Sequence, residues 1–150
     1  MNNVNLTLMC DFYELTMANG YLETGMDDRT CYFDVFFRNI PDKAGFAIFA
    51  GLEQIVEYIK NLHFSEDDIK YLQNQGIFTK KFLNYLRDFK FTGDIYSVRE
   101  GTPIFPYEPL MIIRAKAIEA QFIETFVLSS INHQSLIATK TNRIVRAAGN

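Results

Sequence analysis

Several features that would assign a function directly are missing from this 150-residue sequence. It has no tryptophan, and no apolar run approaches the ~20 residues of a membrane-spanning helix. Its N-terminus lacks the basic-then-apolar order of a signal peptide. The formal net charge of −3 comes without a cluster of lysine and arginine. We therefore expect neither a nucleic-acid partner nor a membrane partner.

Common chemical motifs are also absent. The chain has no Walker-type phosphate loop, no Gly-x-Gly-x-x-Gly and no Ser/His/Asp candidate set. Its two cysteines, Cys10 and Cys31, lie in apolar surroundings without metal-ligand spacing, which predicts reduced thiols in a cytoplasmic protein. The residue types alone therefore assign no catalytic residue and no metal ligand.

The sequence does contain enough apolar residues for a core. Hydrophobic residues make up 48%, including 14 Phe and 8 Tyr, which favours one domain with an aromatic-rich interior. The periodicities predict an α+β fold in the order helix, strands, three helices, small sheet, two helices. No linker interrupts residues 1–150, so we expect a single domain.

The boundaries of these elements follow from caps and alternation. Thr7 is predicted to cap a first helix that Gly25 closes, and residues 30–38 alternate as a strand that leads into a turn at 40–43. Residues 46–49 fit either a strand or a helix start. Ser65 and Thr79 are predicted caps, and the small sheet has segments 95–99, 103–105 and 110–114. The last two helices are expected to meet near Asn132 and His133.

Four short motifs carry a family resemblance that extends from about Leu6 to the end of the chain. They are Asp11-Phe-Tyr-Glu-Leu-Thr-Met17 with the following strand 30–38, Gly45-Phe-Ala-Ile-Phe-Ala-Gly51, Phe91-Thr-Gly-Asp-Ile-Tyr96 with Glu100-Gly-Thr-Pro-Ile-Phe-Pro106, and Leu136-Ile-Ala-Thr-Lys140. The chain resembles the opening of the nicotinate phosphoribosyltransferases. That family is longer, so the resemblance implies the N-terminal part of a type II phosphoribosyltransferase, with residues 116–150 leading into a truncated α/β barrel.

The resemblance also implies an activity. The full enzymes join nicotinate to phosphoribosyl pyrophosphate in NAD salvage, release pyrophosphate, hydrolyse ATP and require Mg²⁺. A homodimer is implied, while the isolated fragment is expected to be inactive and to bind no cofactor. Two alternatives stay open: a relative that uses nicotinamide or quinolinate, and a non-catalytic dimerisation module.

Four substrate-binding candidates follow. The resemblance places Tyr13 against the pyridine ring, in the active site of the partner subunit, although it could be a core tyrosine. It places Arg38 on the phosphates, although Arg38 could pair with Asp34 instead. Lys140 and Arg143 share a helix face and could attract phosphate, or be ordinary solvated residues.

Asp11 is expected to cap the first helix. The phosphate-accepting histidine of the family is implied to lie beyond residue 150, so His133 is not assigned that role.

Overall fold

The computed structural model describes residues 5–40 and 45–149. The predicted α+β organisation is confirmed, with helices packed on short antiparallel strands. In chain order the elements are α1 Phe12–Thr24, β1 Thr30–Val35, β2 Ala47–Ile48, α2 Leu52–Asn61, α3 Glu66–Asn74, α4 Lys80–Arg87, β3 Asp94–Ser97, β4 Pro103–Ile104, β5 Met111–Lys116 and α5 Ala117–Ala148.

The strands form two separate antiparallel sheets. One has the order β1-β5-β3, with Tyr32 opposite Arg114 and Arg114 opposite Asp94, and the other pairs β2 with β4. The prediction of one small sheet from the three later segments is therefore wrong, because β4 pairs with β2 instead of β3 or β5. The alternation of β1 is confirmed by its burial pattern, although β1 ends at Val35, before residue 38. The turn predicted at 40–43 lies outside the described residues except for residue 40.

A single helix, α5, replaces the two helices predicted after residue 116. It runs unbroken through Asn132 and His133, so the predicted turn at these residues is wrong. The polar residues in this stretch suggested a break, but none of them is glycine or proline, which are the strong helix breakers. Tertiary bonds use two of them: the hydroxyl groups of Ser135 and Thr139 accept backbone N–H bonds from Ala50 and Ile48.

Helix α1 starts later than predicted. The Thr7 hydroxyl donates to the His63 carbonyl oxygen (2.7 Å), so Thr7 joins two loops and caps no helix. Asp11 occupies the N-cap position of α1, but its side chain makes no capping hydrogen bond. The other predicted caps are confirmed: Ser65 forms a capping box with Asp68, and the Thr79 hydroxyl accepts from the Phe82 N–H.

Helix α2 has a cap that comes from a distant part of the chain. Glu100 Oε1 accepts from the N–H groups of Gly51 (2.8 Å) and Leu52 (2.7 Å), which places a carboxylate at the positive end of the helix. Gly51 has φ 113°, and a Cβ at this position would lie 3.0 Å from the Ser130 carbonyl oxygen. Only glycine therefore allows α2 to start this close to α5.

The core confirms the expected aromatic interior. Phe64, Phe89 and Phe122 contact one another with ring centroids 5.2–5.7 Å apart, in the edge-to-face geometry that aromatic pairs prefer. Tyr58 stacks on Phe126 at 3.8 Å. Because Phe122 and Phe126 belong to α5, these contacts hold the N-terminal third of this helix in the core.

Candidate functional site

The first turn of α1 is fixed to the N-terminal third of α5 by hydrogen bonds through one threonine. The Thr125 hydroxyl donates to Glu14 Oε1 at 2.7 Å and accepts the Asp11 N–H at 3.3 Å. Glu14 is completely buried. Thr125 thus satisfies a backbone donor in front of α1 and anchors the first turn from the side.

Tyr13 extends from this anchored turn. Its side chain is 46% exposed, and its hydroxyl group donates to Glu124 Oε1 at 3.3 Å. One turn further along, Gln121 Nε2 lies 3.8 Å from Met17 Sδ, so this edge of α1 follows α5 over two turns. Partial desolvation and the nearby carboxylates, first of all Glu124, raise the pKa of Tyr13. Tyr13 therefore stays neutral and presents an aromatic face on a rigid support.

The pKa values of two groups beside Tyr13 are also raised. Burial raises the pKa of Glu14, and the carboxylates of Glu124 and Asp11 act in the same direction, while the hydrogen bond from Thr125 opposes the shift. Burial and the same acidic neighbourhood raise the pKa of Cys10 to about 12. A thiol with so high a pKa is a poor nucleophile. Cys10 and Cys31 are both free, as expected.

Arg38 lies near a different part of α5 from Tyr13. It follows β1, is exposed, and lines a cavity of about 510 Å³ together with Asp34, Phe36 and, from α5, Ser129 and Asn132. No ion pair joins Arg38 to Asp34 within residues 5–40 and 45–149, so the structural pairing considered for them is not observed. Tyr13 does not line this cavity.

Lys140 and Arg143 lie on the C-terminal third of α5. Lys140 is exposed and Arg143 is half-buried. At 1.5 Å per residue, Lys140 is about 12 Å beyond Asn132 and about 24 Å beyond Glu124 along the helix axis. The described structure therefore does not bring the four predicted residues into one pocket. It distributes them along α5, and both Tyr13 and Arg38 remain accessible.

The resemblance implies Mg²⁺ and ATP for the full-length enzymes. Over the described ranges, no three His, Cys, Asp or Glu side chains come together as a metal site. Asn132 and His133 are exposed positions in the middle of α5.

Residues 8–132 match the family model described as the nicotinate phosphoribosyltransferase (NAPRTase) N-terminal domain. The chain belongs to this family. The resemblance inferred from the four motifs is thereby confirmed, and Tyr13 and Arg38 both lie inside the matched range.

Several curated relatives are nicotinate phosphoribosyltransferases by name. The chain is 43% identical over 141 residues to nicotinate phosphoribosyltransferase pncB2 of Mycobacterium tuberculosis, covering 94% of this chain and 30% of that protein. It is 42% identical over 145 residues to the Bacillus subtilis nicotinate phosphoribosyltransferase, covering 97% of this chain and 30% of that protein. The chain thus spans about 30% of the length of these relatives.

Solved structures show the same fold. The crystal structure of human nicotinic acid phosphoribosyltransferase superimposes with a TM-score of 0.87 at 29% identity, over 93% of this chain and 29% of that one. Nicotinate-nucleotide pyrophosphorylase from Pyrococcus furiosus, at 19% identity, has a TM-score of 0.57 and covers 85% of this chain and 25% of its own. The second likeness concerns the fold alone. The NAPRTase N-terminal fold predicted from the sequence is confirmed.

The residues of α5 that hold Tyr13 carry no signal in the sequence. Glu124 and Thr125 are more than a hundred positions away in the sequence, and no local pattern indicates that they meet α1. Glu14 did have a signal, because it shares the helical spacing of the buried Leu15, Ala18 and Leu22. A carboxylate in that row indicates a buried polar partner, and this partner is Thr125.

Proposed function

We propose that this chain acts as the N-terminal part of a cytoplasmic nicotinate phosphoribosyltransferase. The enzyme would form nicotinate mononucleotide and pyrophosphate from nicotinate and phosphoribosyl pyrophosphate, with ATP hydrolysis, in NAD salvage. The family match over residues 8–132 carries this proposal. The free thiols of Cys10 and Cys31 are consistent with the cytoplasm. No helix among the described residues has the length and apolarity to cross a membrane.

Tyr13 is proposed to bind the pyridine ring of nicotinate. An exposed ring on an anchored helix offers a flat face without having to reorganise, and aromatic stacking adds about 0.5–1.5 kcal/mol beyond the burial of area. The hydroxyl group of Tyr13 is already used by Glu124, so the ring face is the part that remains available.

Arg38 is proposed to bind a phosphate of phosphoribosyl pyrophosphate. Its guanidinium group is exposed at the rim of the 510 Å³ cavity, beside the polar side chains of Ser129 and Asn132. A planar guanidinium can bind two phosphate oxygens at once. Lys140 and Arg143, three residues apart on α5, are proposed to add positive charge for a more distant phosphate.

A homodimer is the proposed assembly. Tyr13 presents its ring outward and lines neither the 510 Å³ cavity nor the 670 Å³ cavity between α2 and the residues around Asn5. A ring in this position needs a second surface to enclose a substrate. We propose that a partner subunit supplies this surface, so that Tyr13 of one subunit completes the site of the other. Sedimentation velocity tests the assembly: a dimer is expected, and a monomer at working concentrations would contradict it.

The test of the activity uses the protein at its natural length. With phosphoribosyl pyrophosphate, ATP and Mg²⁺ present, we expect nicotinate mononucleotide to form from nicotinate, and little product from nicotinamide or quinolinate.

Tyr13→Ala should raise KM for nicotinate about 2- to 10-fold. Arg38→Ala should raise KM for phosphoribosyl pyrophosphate about 10- to 100-fold, because a hydrogen bond to a charged group is lost. Arg38→Lys should give a KM for phosphoribosyl pyrophosphate between those of the wild type and Arg38→Ala.

A matched control uses the Bacillus subtilis relative. Its aligned N-terminal part is replaced by this chain, and the chimera is compared with the parent enzyme. A folded chimera without turnover would contradict the proposal, as would a natural-length protein that prefers nicotinamide or quinolinate. Association without binding of either substrate would favour the non-catalytic module.

A further inference from the structure

The contact between Tyr13 and α5 indicates a role for a residue that the motifs did not single out. We propose that Glu124 is a positioning residue: its carboxylate accepts the Tyr13 hydroxyl hydrogen bond and fixes the orientation of the ring that receives the pyridine. This inference rests on the proposed function of Tyr13. Glu124 itself would not touch the substrate.

Among the described residues, one hydrogen bond holds the outer end of the ring. The backbone of Tyr13 is fixed because the next residue, Glu14, is buried and bonded to Thr125 at 2.7 Å. The ring itself is 46% exposed, so burial alone does not hold its position. The bond from the Tyr13 hydroxyl to Glu124 Oε1, at 3.3 Å, is the contact that holds the far end of the side chain.

The two supports come from neighbouring residues of one helix. Glu124 and Thr125 are consecutive on α5, and they contact the consecutive residues Tyr13 and Glu14 on α1. The adjoining residues Phe122 and Phe126 anchor this part of α5 in the aromatic core. The Glu124 carboxylate therefore has a fixed base from which to orient the tyrosine. At 3.3 Å the bond is longer than a typical O–H···O bond, which predicts a moderate effect.

The charge of Glu124 and its ability to accept a hydrogen bond can be separated by two substitutions. Glu124→Gln keeps an accepting oxygen but removes the charge, whereas Glu124→Leu removes both. In the natural-length protein, Glu124→Leu should raise KM for nicotinate about three- to tenfold with little change in kcat, and Glu124→Gln should stay within twofold of the wild type. The control Glu53→Leu, on an exposed part of α2, should not change KM.

A double variant tests whether the effect passes through the tyrosine. Tyr13→Phe keeps the stacking face and removes the hydroxyl group, so it breaks the same hydrogen bond as Glu124→Leu. The pair Tyr13→Phe/Glu124→Leu should therefore raise KM no more than either single variant. Additive effects would overturn the proposal, because they would show that Glu124 acts independently of the Tyr13 hydroxyl.

A spectroscopic measurement on the 150-residue chain tests the contact between Tyr13 and Glu124 without an activity assay. The carboxylates that raise the pKa of Tyr13 are Glu124 on α5, Glu14 on α1 and Asp11 at the N-cap of α1, and only Glu124 is hydrogen-bonded to the hydroxyl. In chains carrying ¹³Cζ-labelled tyrosine, Glu124→Gln and Glu124→Leu should both lower the pKa of Tyr13, because a neighbouring negative charge is removed. An unchanged Tyr13 titration in both variants would contradict the contact.

The outcomes distinguish this inference from the function on which it rests. If the wild-type protein neither binds nicotinate nor turns it over, the proposed function fails. If the wild type is active and Tyr13→Ala raises KM while a folded Glu124→Leu does not, only the positioning role fails. If Glu124→Gln is as impaired as Glu124→Leu, the charge and not the acceptor matters, and the proposal is overturned in this form.

Discussion

Glu14 combines a fully buried carboxyl group with only one hydrogen-bonded oxygen. Oε1 accepts from Thr125, whereas Oε2 has no partner among the described residues. Burial of an ionised carboxylate with an unpaired oxygen is costly, so the neutral form is favoured and the pKa of Glu14 is raised. At the scale of single residues, the buried Glu14 holds the first turn of α1 in place but lowers the free energy of unfolding when it is ionised.

This cost predicts how a substitution at Glu14 depends on pH. A carboxyl group whose pKa is raised by folding contributes fully below its unfolded value of about 4.3, and this contribution is lost as the pH rises through the folded value. Glu14→Gln removes the titration and keeps an acceptor for Thr125. We expect the free energy of unfolding of Glu14→Gln, relative to the wild type, to increase from about pH 4 towards neutral pH. Denaturant unfolding at several pH values measures this difference, and a constant difference would contradict the assignment.

The sequence indicated which residues could bind a ligand, but not which residues surround them in the fold. Tyr13 and Arg38 stood out from the sequence because their motifs resemble a known family, and both are exposed as a ligand-binding role requires. Glu124 carried no such signal. Its proposed role rests on a contact across more than a hundred positions, which only the packing of α1 on α5 creates.

At the scale of elements, α5 shows how tertiary contacts override local composition. Ser135 lies where a second helix was predicted to start, yet α5 is continuous there, and the buried Ser135 and Thr139 bond the backbone of Ala50 and of Ile48 in β2. The predicted caps at Ser65 and Thr79 succeeded because a cap depends on residues three positions apart. The prediction at Thr7 failed because its hydroxyl group is used by His63.

The bond between Thr139 and β2 can be tested with a near-isosteric change. Thr139→Val leaves the Ile48 N–H without its 2.8 Å acceptor in a buried place, so we expect a loss of about 1–3 kcal/mol in the free energy of unfolding. Thr141→Val, at an exposed position on the same helix, is the control and should stay within about 0.5 kcal/mol. Equal effects would show that helix propensity, not this hydrogen bond, explains the loss.

At the scale of the whole molecule, the predicted substrate-binding residues lie along α5 without meeting. Tyr13 contacts Glu124, Arg38 shares a cavity with Asn132, and Lys140 lies further towards the C-terminus. The chain spans about 30% of the length of its relatives. We propose that these residues are separate parts of a surface that other residues complete before both substrates are bound together.

This arrangement predicts that residues 1–150 alone do not catalyse the reaction. With nicotinate, phosphoribosyl pyrophosphate, ATP and Mg²⁺, we expect no nicotinate mononucleotide above a control without enzyme, because reactants must be held together before the chemical step. The active parent enzyme of the chimera experiment serves as the positive control. Product formation by the isolated 150 residues would contradict this prediction.

The sequence by itself determined the α+β class, the caps of α3 and α4, the alternation of β1 and the family, because these depend on short-range periodicity and on contiguous motifs. Only the tertiary structure decided that β4 pairs with β2, that α5 is continuous, and that Glu124 and Thr125 hold the first turn of α1. The physical reason is the same in each case. Strand partners, buried hydroxyl acceptors and a tyrosine's hydrogen bond are chosen by groups far away in the chain, which become neighbours only when the core packs.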